Sequence, residues 1–284
     1  MNEPLNVVRQ FDAAPVTTLL LDADDNLFPS ERPAFEASAE VTNRFLARFG
    51  VTSPFSADEL RKKAVGKNFR STALDLAVRS GVPFEHRLAD GRPDAVVASD
   101  SDVTAGRALS VDELEQWVLE ERERVTAHLA ATLKPDPEVL TPLQALASRY
   151  ALAAVSSSAI KRLAGCFTAT GLDPLIPVDL RFSAEDSLPV PTSKPDPAVY
   201  LHAGKVMNVA AHQGLAVEDS VPGVKSAVAA GFLTVGNVMF LQDDERDCRT
   251  AELIDAGAAA ITDSWAALAD TLMMSVVTAG GCQV

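Results

Sequence analysis

Positions 16–27 of the chain read VTTLLLDADDNL. The run from Val16 to Leu21 is short and almost entirely apolar, and it ends abruptly in acidic residues. Such a run is typical of a strand that is buried on both faces of a parallel sheet. Because ligands of open α/β sheets bind beyond the carboxyl ends of the strands, Asp22 and Asp24 are the first candidate site residues.

Similar apolar runs occur later in the chain and alternate with helical patterns. The runs are Tyr150–Val155, Gly214–Val217, Leu233–Val238 and Ala258–Ile261. The helical patterns are Pro137–Ser148, Ala159–Thr170, Pro197–Met207, Val221–Ala230, Ala251–Asp255 and Ser264–Met274. This alternation predicts βαβ units and an α/β fold with a doubly wound, Rossmann-like parallel sheet covered by helices.

The segment after the first strand breaks the alternation. It carries helical patterns at Pro33–Phe49, Ala57–Val65, Ser71–Ser80 and Val111–Leu133, without a convincing buried strand. We therefore predict an inserted α-helical cap domain over residues 32–134, and a catalytic core formed by residues 1–31 and 135–284. Pro83–Leu109 is polar and rich in Asp, Arg and Gly, which predicts a long surface loop or a lid element.

Composition and charge limit the classes of function. The 284 residues are 47% hydrophobic and 23% charged, as in ordinary globular proteins. A net charge of −14 argues against nucleic acid or anionic membranes as partners, since both require a basic surface. The net charge does not exclude a small phosphorylated molecule as the substrate. The chain is expected to be a monomer or a homodimer.

The apolar runs, the N-terminal residues and the cysteines indicate where the protein resides and the state of its thiols. No apolar run approaches the roughly 20 residues that span a bilayer, and the N-terminus lacks the pattern of a secretory signal, so a cytoplasmic protein is expected. Cys166, Cys248 and Cys282 are odd in number, widely spaced and outside any Cys-x-x-Cys pattern. They are expected to be free thiols and neither a disulfide framework nor a zinc site.

Asp22 and Asp24 are separated by one residue, so an alternating backbone would direct both carboxylates to the same crevice. Such a pair suits a nucleophile, which forms an aspartyl phosphate, and a general acid/base, which protonates the leaving oxygen and then activates water. The alternative is that these acidic residues only end a strand and begin a turn.

Two further strand ends carry groups that suit phosphate. Ser156 and Ser157 precede a helix, where a hydroxyl and backbone amides can cradle phosphate, although serine is also a routine helix cap. Lys194 stands just before a helix that begins with proline, and it could neutralise both the phosphoryl oxygens and the attacking carboxylate. The alternative for Lys194 is a solvated lysine.

Glu218 and Asp219 place two more carboxylates at the end of a strand. Oxygens from Asp22, Asp219 and Glu218, with the backbone carbonyl of Asp24, would form a hard site suitable for Mg²⁺. A phosphate enzyme with a net charge of −14 must gather positive charge locally, and a divalent cation supplies it.

These four motifs, in this order, resemble those of the haloacid dehalogenase superfamily, in its phosphatase and β-phosphoglucomutase-like branch with a helical cap after the first motif. The family patterns are Asp-x-Asp-Gly-Thr-Leu, a Ser or Thr after a strand, Gly-Lys-Pro-x-Pro, and Glu-Asp-Ser-x-x-Gly. The matching segments here are Asp22–Leu27, Ser156, Ser193–Pro197 and Glu218–Gly223. The resemblance covers nearly the whole chain and implies a Mg²⁺-dependent phosphatase with Asp22 as nucleophile, Asp24 as acid/base, and Lys194 at the phosphate.

Two residues depart from the first family motif. Asp25 stands where the family usually has Gly, and Asn26 stands where it usually has Thr. Asn26 can hydrogen-bond as a threonine hydroxyl does, whereas Asp25 adds a negative charge beside the nucleophile. The charge of Asp25 motivates an alternative function, a catalytically silent phosphate-binding protein of the same fold.

The resemblance also helps to choose among the reactions of the family. Dehalogenases and phosphonate-cleaving relatives lack the second aspartate, so Asp24 favours phosphate esters. Mutases of the β-phosphoglucomutase type place a histidine in the following linker, and residues 30–35 contain none. The preferred reaction is hydrolysis of a small phosphorylated metabolite such as a sugar phosphate, with the mutase as an alternative.

Substrate identity is expected to depend on the insertion. Gly66–Arg70 resembles the cap loop that family members lower onto the site. Lys67 or Arg70 could hold a second anionic group or sugar hydroxyls of the substrate. The alternative is a solvated basic start of a helix.

Overall fold

A computed structural model of the chain describes residues 5–64 and 68–274. Contacts within the chain divide it into two compact units. We call Met1–Ser30 with Leu133–Val284 the core unit, and Glu31–Thr132 the insertion unit. The predicted boundaries, after residues 31 and 134, differ from this division by one and two residues.

A seven-stranded sheet forms the centre of the core unit. The strands described, in chain order, are β1 (Asn6–Val7), β2 (Thr18–Leu21), β3 (Pro83–Phe84), β4 (Val96–Val97), β5 (Ala151–Ser156), β6 (Arg181–Ser183), β7 (Gly214–Glu218), β8 (Leu233–Asn237) and β9 (Ala260–Thr262). The order in the sheet is β1-β9-β8-β7-β2-β5-β6, and only the β1–β9 pair is antiparallel. The predicted α/β fold with a parallel sheet is therefore confirmed.

Two strands of this sheet, β1 and β6, were not predicted from the sequence. They are two and three residues long, which is too short to give an apolar run. From β2 the chain continues to β5 and β6 on one side, and it then crosses back to β7 on the other side of β2. The carboxyl ends of β2, β5 and β7 thus border the crevice at which the strand order reverses, where open α/β sheets bind ligands.

Helices cover the sheet and build most of the insertion unit. They are α1 (Glu31–Arg48), α2 (Ala57–Ala64), α3 (Phe69–Arg79), α4 (His86–Ala89), α5 (Asp100–Thr104), α6 (Val111–Thr132), α7 (Pro137–Ala147), α8 (Ile160–Thr170), α9 (Ala198–Val206), α10 (Val221–Ala229), α11 (Asp243–Ala256) and α12 (Trp265–Met274). The sequence placed the start of α11 eight residues late, because its first two turns are hydrophilic and only Leu253 is buried. Within residues 5–64 and 68–274, no helix has the length and apolarity needed to cross a bilayer.

The central strand β2 is buried along its whole length, as its apolar sequence predicts. Leu19, Leu20 and Leu21 have no exposed surface. On one face of the sheet, Leu20 belongs to a buried cluster with Val155 and Tyr200. Burial of apolar surface stabilises a fold by about 25 cal/mol per Å². The packing of these leucines therefore holds β2 in place, and with it the position at which the strand ends and Asp22 follows.

The insertion unit has an apolar core of its own, which includes Phe45, Leu60 and Leu114. The segment predicted as a long surface loop or a lid, 83–109, instead contains β3, α4, β4 and α5. The insertion was predicted to lack a convincing buried strand, and it contains one short parallel pair of two residues each, β3 and β4, in which β4 is exposed. Phe84 and Leu109 are fully buried in this core, so both ends of a mostly polar segment are anchored.

Helix α6 offers a matched pair of leucines for testing this core. Leu114 is fully buried, whereas Leu119 is 55% exposed. We expect Leu114→Ala to lower the free energy of unfolding by about 2–5 kcal/mol through lost burial and the remaining cavity, and Leu119→Ala to change it by about 0.5 kcal/mol or less. Urea unfolding followed by circular dichroism and tryptophan fluorescence measures both. Equal effects of the two substitutions would contradict this account of the insertion core.

Candidate active site

Residues that are far apart in the sequence meet at the carboxyl ends of three neighbouring strands. Leu21, the last residue of β2, is in register with Ala154 of β5 and with Val217 of β7. Asp22 directly follows β2, and Glu218 is the last residue of β7. The strand register therefore brings the first and the fourth motif to the same edge of the sheet.

The Lys194 side chain lies between two carboxylates at this edge. Its Nζ donates to Asp22 Oδ1, forms an ion pair with Glu218 Oε1 at 2.6 Å, and donates to the backbone carbonyl of Val155 at 2.7 Å. The Lys194 side chain is only 5% exposed. Burial by itself lowers the pKa of Lys194, but the charges of Asp22 and Glu218 outweigh it and raise the pKa above its ordinary value. Lys194 is thus a fixed positive charge and not a solvated lysine.

Asp22, Glu218 and Asp219 form a group of acidic side chains that could hold a metal ion. One carboxylate oxygen from each lies within 4.8 Å of the others. Burial raises the pKa of Asp22 well above its ordinary value, against the lowering effect of Lys194 and with a further rise from Glu218. Burial also raises the pKa of Asp219, and Asp22, Asp25 and Glu218 add to that rise.

The charges in this group do not balance by themselves. Three carboxylates face the single ammonium of Lys194, and among the described residues Glu218 Oε2 is buried without a hydrogen-bond partner. Carboxylate oxygens are the donors that hard divalent cations prefer. The donor set therefore fits such a cation, which would offset the excess negative charge.

Tyr200 and Gly223 support the Glu218 carboxylate. Tyr200 donates its hydroxyl to Glu218 Oε1 at 2.5 Å, and its ring lies 5.3 Å from Lys194 Nζ. Burial, followed by the charge of Glu218, raises the pKa of Tyr200 and keeps its proton in place. A Cβ atom at Gly223 would overlap the Glu218 carboxylate, which explains why the fourth motif ends in glycine.

The Asp24 carboxylate accepts hydrogen bonds from three side chains. Ser30 Oγ donates to Oδ1 at 2.6 Å, Arg162 Nη2 donates to Oδ1 at 2.7 Å, and Ser158 Oγ donates to Oδ2 at 2.6 Å. Burial by itself would raise the pKa of Asp24, but the Arg162 charge and the two hydroxyls hold it below its ordinary value. Asp24 is thus an oriented and ionised carboxylate.

Ser156 and Ser157 hold the loop that follows β5. Ser156 Oγ accepts from the backbone N–H of Ser158 at 3.0 Å, and Ser157 Oγ accepts from the backbone N–H of Lys194 at 3.2 Å. At the start of α8, the N–H of Ile160 donates to Asp186 Oδ2 at 2.7 Å. One donor of this helix start is therefore already occupied, and phosphate binding by Ser156 and Ser157 stays a prediction.

The two departures from the family motif have distinct structural roles. Asp25 has a φ of 51°, in the left-handed region where aspartate is tolerated better than most residues. Asn26 is fully buried, and its Nδ2 donates to the carbonyls of Asp22 at 2.8 Å and Val217 at 3.2 Å. Asn237 Nδ2 donates to Asn26 Oδ1 at 2.8 Å, and Trp265 Nε1 donates to the Asn26 carbonyl at 2.9 Å. Asn26 therefore ties the Asp22 loop to β7 and to two other parts of the core unit.

Several of these residues were not identified from the sequence. Arg162 and Tyr200 lie in the first turns of α8 and α9, where only their spacing from Ser156 and Lys194 could have marked them. Trp265 is fully buried, and no motif in the sequence marked its contact with Asn26. Asn237 is the last residue of β8, just as the predicted site residue Glu218 is the last residue of β7.

The remaining sequence predictions concern the insertion unit and the cysteines. Arg70 forms an ion pair with Glu115 inside the insertion unit, and Lys67 lies outside the described residues, so their roles in substrate binding stay predictions. Cys166 and Cys248 are free thiols, as predicted, and Cys282 lies outside the described residues. Burial raises the pKa of Cys166 to about 12, which leaves it unreactive.

Comparison with known proteins identifies the family. The model of the haloacid dehalogenase-like hydrolases matches residues 16–231, which is more than half of the chain. The chain therefore belongs to the haloacid dehalogenase-like hydrolases, and the resemblance carried by the four motifs is confirmed. A haloacid dehalogenase-like hydrolase domain-containing protein of Arabidopsis thaliana is 25% identical over 244 residues, covering 76% of this chain and 66% of that protein. The chain thus spans a little under two thirds of that relative's length.

Three solved structures of the same fold are similar to this chain over most of its length. A predicted phosphoglycolate phosphatase from Haemophilus somnus has a TM-score of 0.63 and 20% identity, over 92% of this chain and 99% of that chain. A hydrolase of this family from Deinococcus radiodurans, with bound phosphate and sodium, has a TM-score of 0.61 and 21% identity, over 93% and 98%. CbbY from Rhodobacter sphaeroides, in complex with xylulose-(1,5)bisphosphate, has a TM-score of 0.59 and 18% identity, over 88% and 95%.

The charge of Asp25 can be tested without any substrate. Asp25→Asn keeps the side-chain size and the tolerance for a positive φ, but it removes one negative charge that acts on Asp219. We expect the melting temperature in EDTA to rise by roughly 1–4 °C, because less repulsion remains in the metal-free protein. Asp270→Asn, at an exposed position on α12, is the matched control and should leave the melting temperature unchanged. A melting temperature in EDTA that does not rise for Asp25→Asn contradicts the repulsion.

Proposed function

We propose that this hydrolase is a Mg²⁺-dependent phosphatase, which hydrolyses a small phosphorylated metabolite through an aspartyl phosphate on Asp22. The observation that supports it best is the buried contact of Lys194 with Asp22 and Glu218, beside the carboxylate of Asp219. A nucleophilic carboxylate that receives a phosphoryl group needs a fixed positive charge at its side, and Lys194 supplies that charge.

The proposed reaction has two steps that use the two aspartates in turn. First, an oxygen of Asp22 attacks phosphorus and the bond from phosphorus to the leaving oxygen breaks. Asp24, which is ionised before substrate binds and takes up a proton from the entering phosphate monoanion, gives that proton to the leaving oxygen. Second, water attacks the phosphorus of the aspartyl phosphate and gives a proton to the Asp24 carboxylate. This step releases inorganic phosphate and restores the Asp22 carboxylate.

The charges around Asp22 set the requirements for both steps. Lys194 lies against Asp22 Oδ1, where it would offset the negative charge that gathers as a phosphoryl group approaches. Mg²⁺ held by Asp22, Asp219, Glu218 and the backbone carbonyl of Asp24 would further neutralise the phosphoryl oxygens. Tyr200 and Gly223 keep Glu218 in contact with Lys194.

The substrate class is proposed from charge and from the structural relatives. A net charge of −14 disfavours polyanionic partners such as nucleic acid and anionic membranes. Structures of the same fold are described with bound phosphate or with a sugar bisphosphate. We therefore propose a sugar phosphate or a similar small metabolite as substrate, and a monomeric or homodimeric protein of the cytoplasm.

The role of Asp22 is tested by phosphate release from a panel of sugar and nucleotide phosphates in the presence of Mg²⁺. We expect turnover by the wild type, and a loss of roughly 10⁴-fold or more for Asp22→Asn, because the amide is not a nucleophile. Asp270→Asn is the matched control and should retain full activity.

Other outcomes of the same screen separate the alternatives. Turnover by Asp22→Asn equal to that of the wild type would contradict the nucleophile. Binding of phosphate without turnover by the wild type would indicate the silent phosphate-binding protein that the Asp25 charge suggested. Formation of an isomerised monophosphate from a sugar bisphosphate would indicate the mutase.

The metal requirement is tested with the same substrates. EDTA should abolish turnover, and Mg²⁺ in excess should restore it, because without the ion the charge of Lys194 alone faces the three carboxylates of Asp22, Glu218 and Asp219. In the wild type, Mg²⁺ should also raise the melting temperature, and this rise should shrink for Asp219→Asn. Full activity in EDTA, after dialysis against chelator, would contradict the proposal.

A further inference from the structure

Arg162 lies in the first turn of α8 and donates to Oδ1 of Asp24, the proposed acid/base of the reaction, at 2.7 Å. We propose that Arg162 is a positioning residue, which anchors Oδ1 of Asp24 so that Oδ2 is the oxygen that exchanges the proton with the leaving group and with water. This inference rests on the proposed phosphatase function, because it assigns a task within that reaction.

The two oxygens of Asp24 have different partners. Oδ1 accepts from the Arg162 guanidinium and from Ser30, whereas Oδ2 accepts from the hydroxyl of Ser158 at 2.6 Å. A guanidinium only donates hydrogen bonds and remains charged, so the oxygen that it contacts is a poor place for a proton. A serine hydroxyl can donate or accept, so Ser158 can stay bound to Oδ2 whether or not that oxygen carries the proton.

Helix α8 holds Arg162 in place. Leu163, Cys166 and Phe167 of this helix are fully buried, and the N–H of Ile160 at its start donates to Asp186. The Arg162 side chain is 27% exposed and the Asp24 side chain is 25% exposed, so both are partly shielded from water. A charged hydrogen bond from a fixed helix therefore restricts Asp24 to one orientation, which is the requirement for efficient proton transfer.

The alternative to positioning Asp24 is that Arg162 binds the substrate phosphate directly. Substrates that differ in their leaving group distinguish these two tasks. An alkyl leaving oxygen needs a proton as its bond to phosphorus breaks, whereas p-nitrophenolate leaves as a stable anion with little need of one. Loss of a residue that positions the acid should thus slow alkyl phosphates selectively. Loss of a residue that binds the phosphate should slow all substrates alike, because they share that group.

The experiment compares kcat/KM for p-nitrophenyl phosphate and for the alkyl phosphate that the wild type hydrolyses fastest. For Arg162→Ala we expect a fall of roughly 10–100-fold on the alkyl phosphate and of less than about 3-fold on p-nitrophenyl phosphate. Arg162→Lys, which keeps one charged donor, should restore part of the alkyl activity. Asp24→Asn is the reference for complete loss of the acid, and Lys161→Ala, at an exposed neighbouring cation, is the matched control.

Each outcome bears on the inference. A selective loss on the alkyl phosphate, shared in direction by Asp24→Asn, supports it. An equal loss on both substrates, or no loss, in a wild-type-active enzyme overturns it while the proposed function stands. A wild type no faster than Asp22→Asn on every substrate would contradict the proposed function and this inference together. If Arg162→Ala does not fold, as judged by circular dichroism, Arg162→Gln and Ser30→Ala replace it, since each weakens a contact of Oδ1 and retains the Ser158 contact of Oδ2.

Discussion

Lys194 places one positive charge between the buried carboxylates of Asp22 and Glu218, and much of the surrounding structure serves this arrangement. The strand register brings β2 and β7 side by side, so that both carboxylates reach the same ammonium. Tyr200 binds the oxygen of Glu218 that Lys194 also contacts, and Gly223 leaves space for that carboxylate. Removing one partner from such a buried group of charges leaves an uncompensated charge, which destabilises the folded protein. The site is therefore preorganised by the same contacts that stabilise the crevice.

The unusual first motif fits this arrangement. Asn26 stands where the family usually has threonine, and its contacts with Asn237 and Trp265 join the Asp22 loop to two other parts of the core unit. Asp25 adopts the left-handed conformation for which glycine is the common choice, and its charge acts on Asp219. A bound cation would turn this extra charge from repulsion into attraction. Both departures are therefore compatible with the proposed metal-dependent site.

The sequence predicted those features that depend on local pattern. The buried strands β2, β5, β7, β8 and β9 follow from apolar runs. The site residues Asp22 and Glu218 follow from their places at strand ends, and Lys194 follows from its place before a helix that begins with proline. Strands β1 and β6 were missed because so few residues carry no periodicity, and the segment 83–109 was misjudged because only its two buried anchors oppose its polar composition. Arg162 was missed for another reason: its partner Asp24 is distant in sequence, and only the packing of α8 brings the two together.

The central claim is that Asp22 is the nucleophile that attacks phosphorus, with Lys194 and a bound Mg²⁺ beside it. The most direct measurement is a crystal structure of the protein with Mg²⁺ and beryllium fluoride, which mimics a phosphoryl group on a carboxylate. The account predicts beryllium trifluoride bonded to a carboxylate oxygen of Asp22, with Lys194 against it and Mg²⁺ between Asp22 and Asp219. Beryllium fluoride bound to another carboxylate, or a site with Mg²⁺ and no adduct on Asp22, would contradict the account.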